Sequence, residues 1–128
     1  MSKGFLLDTH VLLWWLDDPE QKLSKQAYLA IADPKNAIYM SAAAAWEIGI
    51  KQGLGRLEIS CNLAEVLQKD SIQVLPVLLA HGLAVGSLPL HHRDPFDRMM
   101  VVQAQALDLT LVTRDAAIRR YRVNTLVA

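Results

Sequence analysis

Residues 5–16 read FLLDTHVLLWWL, and the order of strand, acid and helix within them recurs along the chain. Phe5, Leu6 and Leu7 make a short apolar run that ends at a carboxylate, Asp8. A run of that length with a polar boundary predicts a buried strand. Residues 11–16 then carry enough apolar side chains, Trp14 and Trp15 among them, for a short helix that the Asp17-Asp18-Pro19 triplet breaks. The acid therefore stands at the carboxyl end of the strand.

Working outward, Ser24 can cap a helix running to about Ala32, and Asp33-Pro34 stops it before a second buried strand at residues 37–41. Ala43, Trp46 and Ile50 fall at helical spacing in residues 42–52, with Gly53 and Gly55 closing that helix. Asn62 can cap another to about Asp70, residues 72–75 read as a third strand ended by Pro76, and residues 77–85 read as a further helix. An irregular stretch, residues 86–93, holds Pro89 and the adjacent His91 and His92. Asp94 as N-cap and Pro95 at the first helical position then open a helix to about Leu107 that is apolar on nearly every face and so belongs against a sheet. Residues 109–113 predict a fourth strand, a short helix follows near Asp115, and residues 123–125 can form a small fifth strand. Strands alternating with helices argue for an α/β fold, a parallel sheet with helices on both faces, built as one domain over residues 1–128.

Composition sets limits on function. With 52% apolar and 20% charged residues, a chain of 128 has ample core and apolar surface to spare, which suits a partner or a homodimer. Thirteen basic and thirteen acidic residues cancel, so nucleic-acid binding would rest on local clusters. The single cysteine, Cys61, excludes an internal disulfide and a thiolate zinc site, which fits a reducing cytoplasm. Phe5 to Leu7 run straight into Asp8 and His10 without a secretory-leader pattern, and no apolar run approaches the roughly 18 residues of a membrane span.

Ligand sites in such folds lie beyond the carboxyl ends of the strands. Asp8 follows the first strand directly, and Asp115 follows the fourth after one residue, Arg114. Glu47 lies about one and a half turns into the helix after the second strand, and Asp97 lies in the first turn of the helix opened by Asp94. Each has an ordinary structural alternative. Asp8 and Asp115 can cap the helices that follow them, Glu47 can pair with Lys51 four residues on, and Asp97 can complement a helix dipole. As a set, four carboxylates at one edge repel one another, by roughly 4 kcal/mol for a pair at about 4 Å and an effective dielectric near 20. A divalent cation resolves that conflict, and oxygen-only donors suit Mg²⁺ or Mn²⁺ better than Zn²⁺. Such ions are apparatus for phosphodiester hydrolysis.

Four blocks carry a family resemblance: FLLDTHVLLWWL at 5–16, SAAAAWEIGIK at 41–51, LPLHHRDPFDRMMVVQAQA at 88–106 and LVTRD at 111–115. Over essentially its whole length the chain resembles the PIN-domain toxins of the VapC family. The resemblance implies a parallel five-stranded sheet flanked by helices and a Mg²⁺- or Mn²⁺-dependent endoribonuclease acting on RNA, with transfer or ribosomal RNA as target. Asp8, Glu47 and Asp97 match its three principal acids and Asp115 its fourth, as catalytic residues and metal ligands. Thr9, Ser41 and Thr113 match small hydroxyl positions beside the acids, and Asp94 belongs to the DPFDR block as a helix cap. The implied reaction is attack by a metal-activated water, leaving a 5′-phosphate and a 3′-hydroxyl. The implied partners are a VapB-type antitoxin, which alone contacts operator DNA, and a second copy of the chain.

Positive charge near the acids comes from Lys51, Arg56, Arg93, Arg98 and Arg114, with Arg119, Arg120 and Arg122 farther on. Arg98 is placed either on RNA or in a salt bridge that orders the acids. His91 and His92 read as exposed loop residues, His10 as a helix starter and His81 as a helix-face residue, none of them a metal ligand. Trp14, Trp15 and Trp46 read as core or interface side chains rather than base-stacking ones. A phosphorylatable receiver lacks support, since no acidic pair follows the first strand, and an aspartyl phosphatase would carry a second Asp where this chain has His10. A pure interaction module, its acids spent on caps and ion pairs, is the non-enzymatic alternative.

Overall fold

The computed structural model describes residues 4–128. Strands β1 (Gly4–Leu7), β2 (Ala37–Ser41), β3 (Ile72–Leu75), β4 (Thr110–Thr113) and β5 (Thr125–Val127) form one sheet in the order β3-β2-β1-β4-β5. Every neighbouring pair is parallel, with Leu7 level with Met40 on one side and with Val112 on the other. The chain steps outward from β1 through β2 to β3, then crosses back to lay β4 on the opposite side of β1. That reversal falls between β1 and β4, and a crevice opens outside the carboxyl ends of strands at such a point.

Seven α-helices, α1 (Thr9–Asp17), α2 (Pro19–Lys22), α3 (Lys25–Ala32), α4 (Ala42–Gly53), α5 (Leu63–Lys69), α6 (Leu79–Ala84) and α7 (Pro95–Leu107), cover the sheet. Successive strand residues point to opposite faces, so β1 feeds two cores. Phe5 and Leu7 join Val11, Leu12, Ile38, Met40, Ala44, Ile48 and Val112 on one face. Leu6 joins Met100, Val101, Ala104, Leu111 and Ile118 on the other. Leu6 and Leu7 are fully buried, each contributing about 2 kcal/mol of apolar burial. No helix among the described residues is long and apolar enough to cross a membrane.

The caps lie where the sequence places them: Ser24 accepts from the amide of Ala27, Asn62 from Glu65, and Asp94 from both Phe96 and Asp97. Several bounds differ. The Asp17-Asp18-Pro19 break is followed at once by the short α2, since Pro19 at the first helical position begins a helix as readily as it ends one. The helix expected over 77–85 is confined to α6 and continues as a 3₁₀ turn over Val85–Ser87. Its start is fixed by His81, whose Nδ1 accepts from the Leu78 amide. Asp108 takes the left-handed conformation (φ 53°) that ends α7, and Leu109 still donates to Ala104, which delays β4 to Thr110. The short helix expected from Asp115 is a 3₁₀ turn at Ile118–Arg120. The fifth strand lies two residues beyond the expected 123–125, because Val123 is tied back to Tyr121 and Asn124 only begins the pairing with Leu111.

Candidate active site

Asp8 stands where β1 becomes α1, and its carboxylate accepts from the Val11 amide at 2.8 Å, capping the helix. The Thr113 hydroxyl at the end of β4 hydrogen-bonds the same carboxylate. The cap and a role in the site thus coexist, because one oxygen faces the helix while the residue remains at the sheet edge. Its neighbour Thr9 donates to Glu47 Oε1 at 2.6 Å, across 38 residues of sequence. Glu47, on α4, is 5% exposed, and its other oxygen accepts from Lys51 Nζ at 2.9 Å. Both ends of this buried carboxylate are therefore satisfied, as burial of a charge requires. Ser41 is fully buried and accepts from the Ala43 amide at 3.0 Å, which starts α4 and sets where Glu47 enters.

From the other side of β1, α7 brings Asp97, and the segment after β4 brings Asp115. Asp115 Oδ1 accepts from the amides of Ala117 and Ile118, while its own amide donates to Thr113 Oγ1 at 3.1 Å. Thr113 thus links Asp8 and Asp115. Between Asp97 and Asp115 lies His92, its Nε2 3.0 Å from an oxygen of each. Donor atoms of His92, Asp97 and Asp115 all lie within 4.8 Å of one another.

Electrostatics record the crowding. Burial pushes the Asp97 carboxyl up to about 7, reinforced by Asp94, Asp8 and Glu47 and opposed by His92. Burial also raises Asp8, against the hydrogen bonds from Thr113 and Val11 and the charge of His10, with Asp115 adding to the rise. At Asp115 partial burial acts upward but is outweighed by donation from Ile118, His92 and Ala117, so its carboxyl sits below the usual carboxylate range. An edge where two carboxyls are driven toward their neutral forms by burial and one another is short of positive charge. Hard oxygen donors in that condition fit a divalent cation.

Asp97 and Asp115 thus close on one another at His92, while Asp8 and Glu47 stand beside that group and act on Asp97 through their charge, and Thr9, Ser41, Asp94 and Thr113 each contact an acid or start the helix that carries one. Arg98 does not. Its guanidinium turns from the acids to the carbonyls of Val85, Leu88, Pro89 and His92 and to the Tyr121 hydroxyl. That overturns the salt bridge expected with Asp97: five fixed donors suit a ring of carbonyls better than one carboxylate. Arg114 is likewise occupied, lying 4.3 Å over the Trp14 ring and donating to the carbonyls of Ala128 and Lys22. Trp15 is half-buried and bonded to Asp70, but Trp46 is 66% exposed, edge-on to Phe96 at 5.1 Å, rather than core. His92, expected as an exposed loop residue, is half-buried among the acids. Its position two residues before a cap, in His92-Arg93-Asp94, was the available sign, because a side chain there can reach the backbone of the coming helix.

A family model described as "PIN domain" matches residues 5–124. Ribonuclease VapC22 of Mycobacterium tuberculosis is 28% identical over 120 residues, 91% of each chain. Among solved structures, VapBC2 from Rickettsia felis bound to a DNA fragment from its promoter contains a chain with TM-score 0.66 at 15% identity, covering 96% of this chain and 97% of that one. DNA-bound VapBC from Salmonella typhimurium gives 0.66 at 18% identity, with 98% of each chain covered. FitAcB from Neisseria gonorrhoeae gives 0.57 at 20% identity, with 96% of each covered.

Proposed function

Because the chain belongs to the PIN-domain family, we propose that it is a metal-dependent endoribonuclease, the toxin of a VapBC-type pair, acting as a single PIN unit over residues 1–128. The observation that carries this reading is the convergence of Asp8, Glu47, Asp97 and Asp115 on the edge where the strand order reverses, with Asp97 driven up to about 7 by burial and its acidic neighbours. The likeness to a ribonuclease over 91% of both chains supports it. Asp8, Asp97 and Asp115 would hold Mg²⁺ or Mn²⁺, with Glu47 completing the set.

When bound, such an ion lowers the pKa of a water and offsets the charge that builds on a phosphate. The chain's own residues do the rest. Thr9 and Lys51 fix Glu47, Thr113 fixes Asp8 relative to Asp115, and the Asp94 cap fixes the first turn of α7 and with it Asp97. In the hydrolysis, water adds to phosphorus and the bond to the 3′ oxygen breaks, giving a 3′-hydroxyl and a 5′-phosphate. Exposed Arg56, Arg93, Arg119, Arg120 and Arg122 supply charge for the RNA backbone.

The cleft beside α1, lined by Leu13, Trp14, Leu16 and Ile59 together with Lys22 and Glu58, supports the docking of an antitoxin segment there, and contact with operator DNA falls to the antitoxin. Leu79 and Leu83 on α6, 80% and 71% exposed, support a homodimer. A cytoplasmic setting follows from this role. The test is cleavage of total bacterial RNA by antitoxin-free protein with Mg²⁺, Mn²⁺ or EDTA, beside Asp8→Asn and Asp97→Asn. Discrete metal-dependent cuts lost in both variants are expected; cutting that survives the substitutions refutes the site, and folded protein that never cuts favours an interaction module.

A further inference from the structure

We infer that His92 is a positioning residue that stands between Asp97 and Asp115 and donates its hydrogen bond to Asp115, so that a divalent cation shared by those carboxylates displaces the imidazole and is not ligated by it. The inference rests on the metal-site reading above and concerns which side chains change partner when the ion is bound.

The tautomer of the ring carries the argument. His92 Nδ1 is 3.1 Å from the backbone nitrogen of Asp94, whose N–H donates to it. A backbone amide gives a proton and cannot accept one, so Nδ1 presents its lone pair and the ring proton belongs on Nε2. Nε2 in turn lies 3.0 Å from Asp97 Oδ2 and 3.0 Å from Asp115 Oδ2, both acceptors. The N–H is donated to Asp115, with the Asp97 oxygen at the same distance, so both ring nitrogens have a partner. A nitrogen that ligates a metal must offer a lone pair, with the other ring nitrogen carrying the proton toward an acceptor. Here the opposite holds, since a donor and not an acceptor stands behind the ring.

Reversing the tautomer would set the Nδ1 proton against the Asp94 amide proton, and neither side of that contact yields easily. Asp94 is the N-cap of α7, its side chain committed to the amides of Phe96 and Asp97 and its carbonyl to Arg98. The backbone of His92 is held as firmly. The buried Tyr121 hydroxyl accepts from the amides of His91 and His92 at 3.1 and 3.0 Å, and Arg98 binds that hydroxyl at 3.0 Å together with the His92 carbonyl. The imidazole thus swings only about its own side-chain bonds. Because both carboxylate oxygens already approach the same nitrogen, a small cation with oxygen ligands at about 2.1 Å takes the ring's position between them.

Two measurements on the full-length chain, stripped of metal with EDTA and dialysed, test this. Long-range ¹H–¹⁵N correlation spectra of the wild type should give the Nε2–H tautomer for His92 without metal. With saturating Mg²⁺ the tautomer should persist while the Nε2 proton loses its shift from the carboxylates. An Nδ1–H ring with bare Nε2 under Mg²⁺ identifies a ligand and overturns the inference, as does that tautomer in the metal-free protein.

Calorimetric titration with Mn²⁺ should find His92→Ala binding about tenfold tighter than wild type, the loss of a competing hydrogen bond to a charged group. Unchanged affinity, or the roughly 10–100-fold weakening that follows loss of a group supporting the metal, overturns it. Failure of Mn²⁺ to bind either protein overturns the metal reading itself, and this inference with it. The spectra need no variant, so they decide the question even if His92→Ala does not fold.

Discussion

Replacing Asp97 by Asn should make the metal-free protein more stable at pH 8, even as it removes activity. In the unfolded chain the carboxyl titrates at its ordinary 3.8, whereas in the fold burial and the charges of Asp94, Asp8 and Glu47 carry it to about 7. Below about pH 4 it is protonated in both states and costs nothing. Between the two values the folded chain must hold a proton that the unfolded chain has released, so stability falls as pH rises, and the full penalty is in place above about pH 7. At 1.36 kcal/mol per pKa unit the gap amounts to about 4 kcal/mol. Asparagine keeps the shape while removing the charge.

Urea unfolding in EDTA at pH 5, 6, 7 and 8 reads this directly. Wild-type stability should decline across the series through this residue, and Asp97→Asn should hold level, its midpoint about 2 M higher at pH 8 for a denaturant slope near 2 kcal/mol per M. Saturating Mg²⁺ should raise the wild type toward the variant and leave the variant unmoved. A variant less stable than wild type at pH 8 in EDTA would refute the electrostatic account, because it would mean that the Asp97 carboxylate is a net stabiliser of the fold.

Thr9→Val removes the hydroxyl donor from the buried Glu47 and should cost about 2 kcal/mol by urea unfolding, as expected for a hydrogen bond to a charged group. Arg98→Ala takes four contacts from the segment between α6 and α7 and a fifth from the Tyr121 hydroxyl that holds it. A loss of about 3 kcal/mol and faster amide exchange at His91 and His92 are expected, with Arg98→Lys giving little rescue because one ammonium cannot span that ring of acceptors. Leu83→Asp, on the exposed face of α6, should yield a monomer in sedimentation at concentrations where the wild type is a dimer, with the thermal midpoint of the monomer unchanged. A wild type that sediments as a monomer removes the homodimer from the proposal.

How much could be read beforehand depended on how local each feature is. The strand at residues 72–75 and the caps at Ser24, Asn62 and Asp94 were legible because each is decided by a few consecutive residues. The start of β4 and the place of β5 were not, since they turn on the left-handed Asp108 and on the tie of Val123 to Tyr121, which no periodicity reports. Trp46 sat at core spacing on its helix yet lies outside, because only the direction from which α7 packs decides which face of α4 is covered.

The four acids stand out as candidates by their places near strand ends and helix starts, and the blocks around them, DPFDR above all, carry the family resemblance. Read one at a time, each acid also met its ordinary role: Asp8 does cap α1, and Glu47 does pair with Lys51. By itself the sequence determined the kinds of element and their alternation, which follow from spacing along the chain, and offered four carboxylates near strand ends and helix starts as candidates. Tertiary structure alone decided that β4 lies beside β1, bringing Asp115 to Asp8 and Asp97. It alone set Thr9 against Glu47, turned Arg98 from the acids to a ring of carbonyls, and put His92 between two carboxylates. Those outcomes depend on contacts beyond the reach of one element, such as Thr9 with Glu47 across 38 positions and His92 with Asp115 across 23, where burial and mutual charge, rather than any local preference, set the partner and the proton.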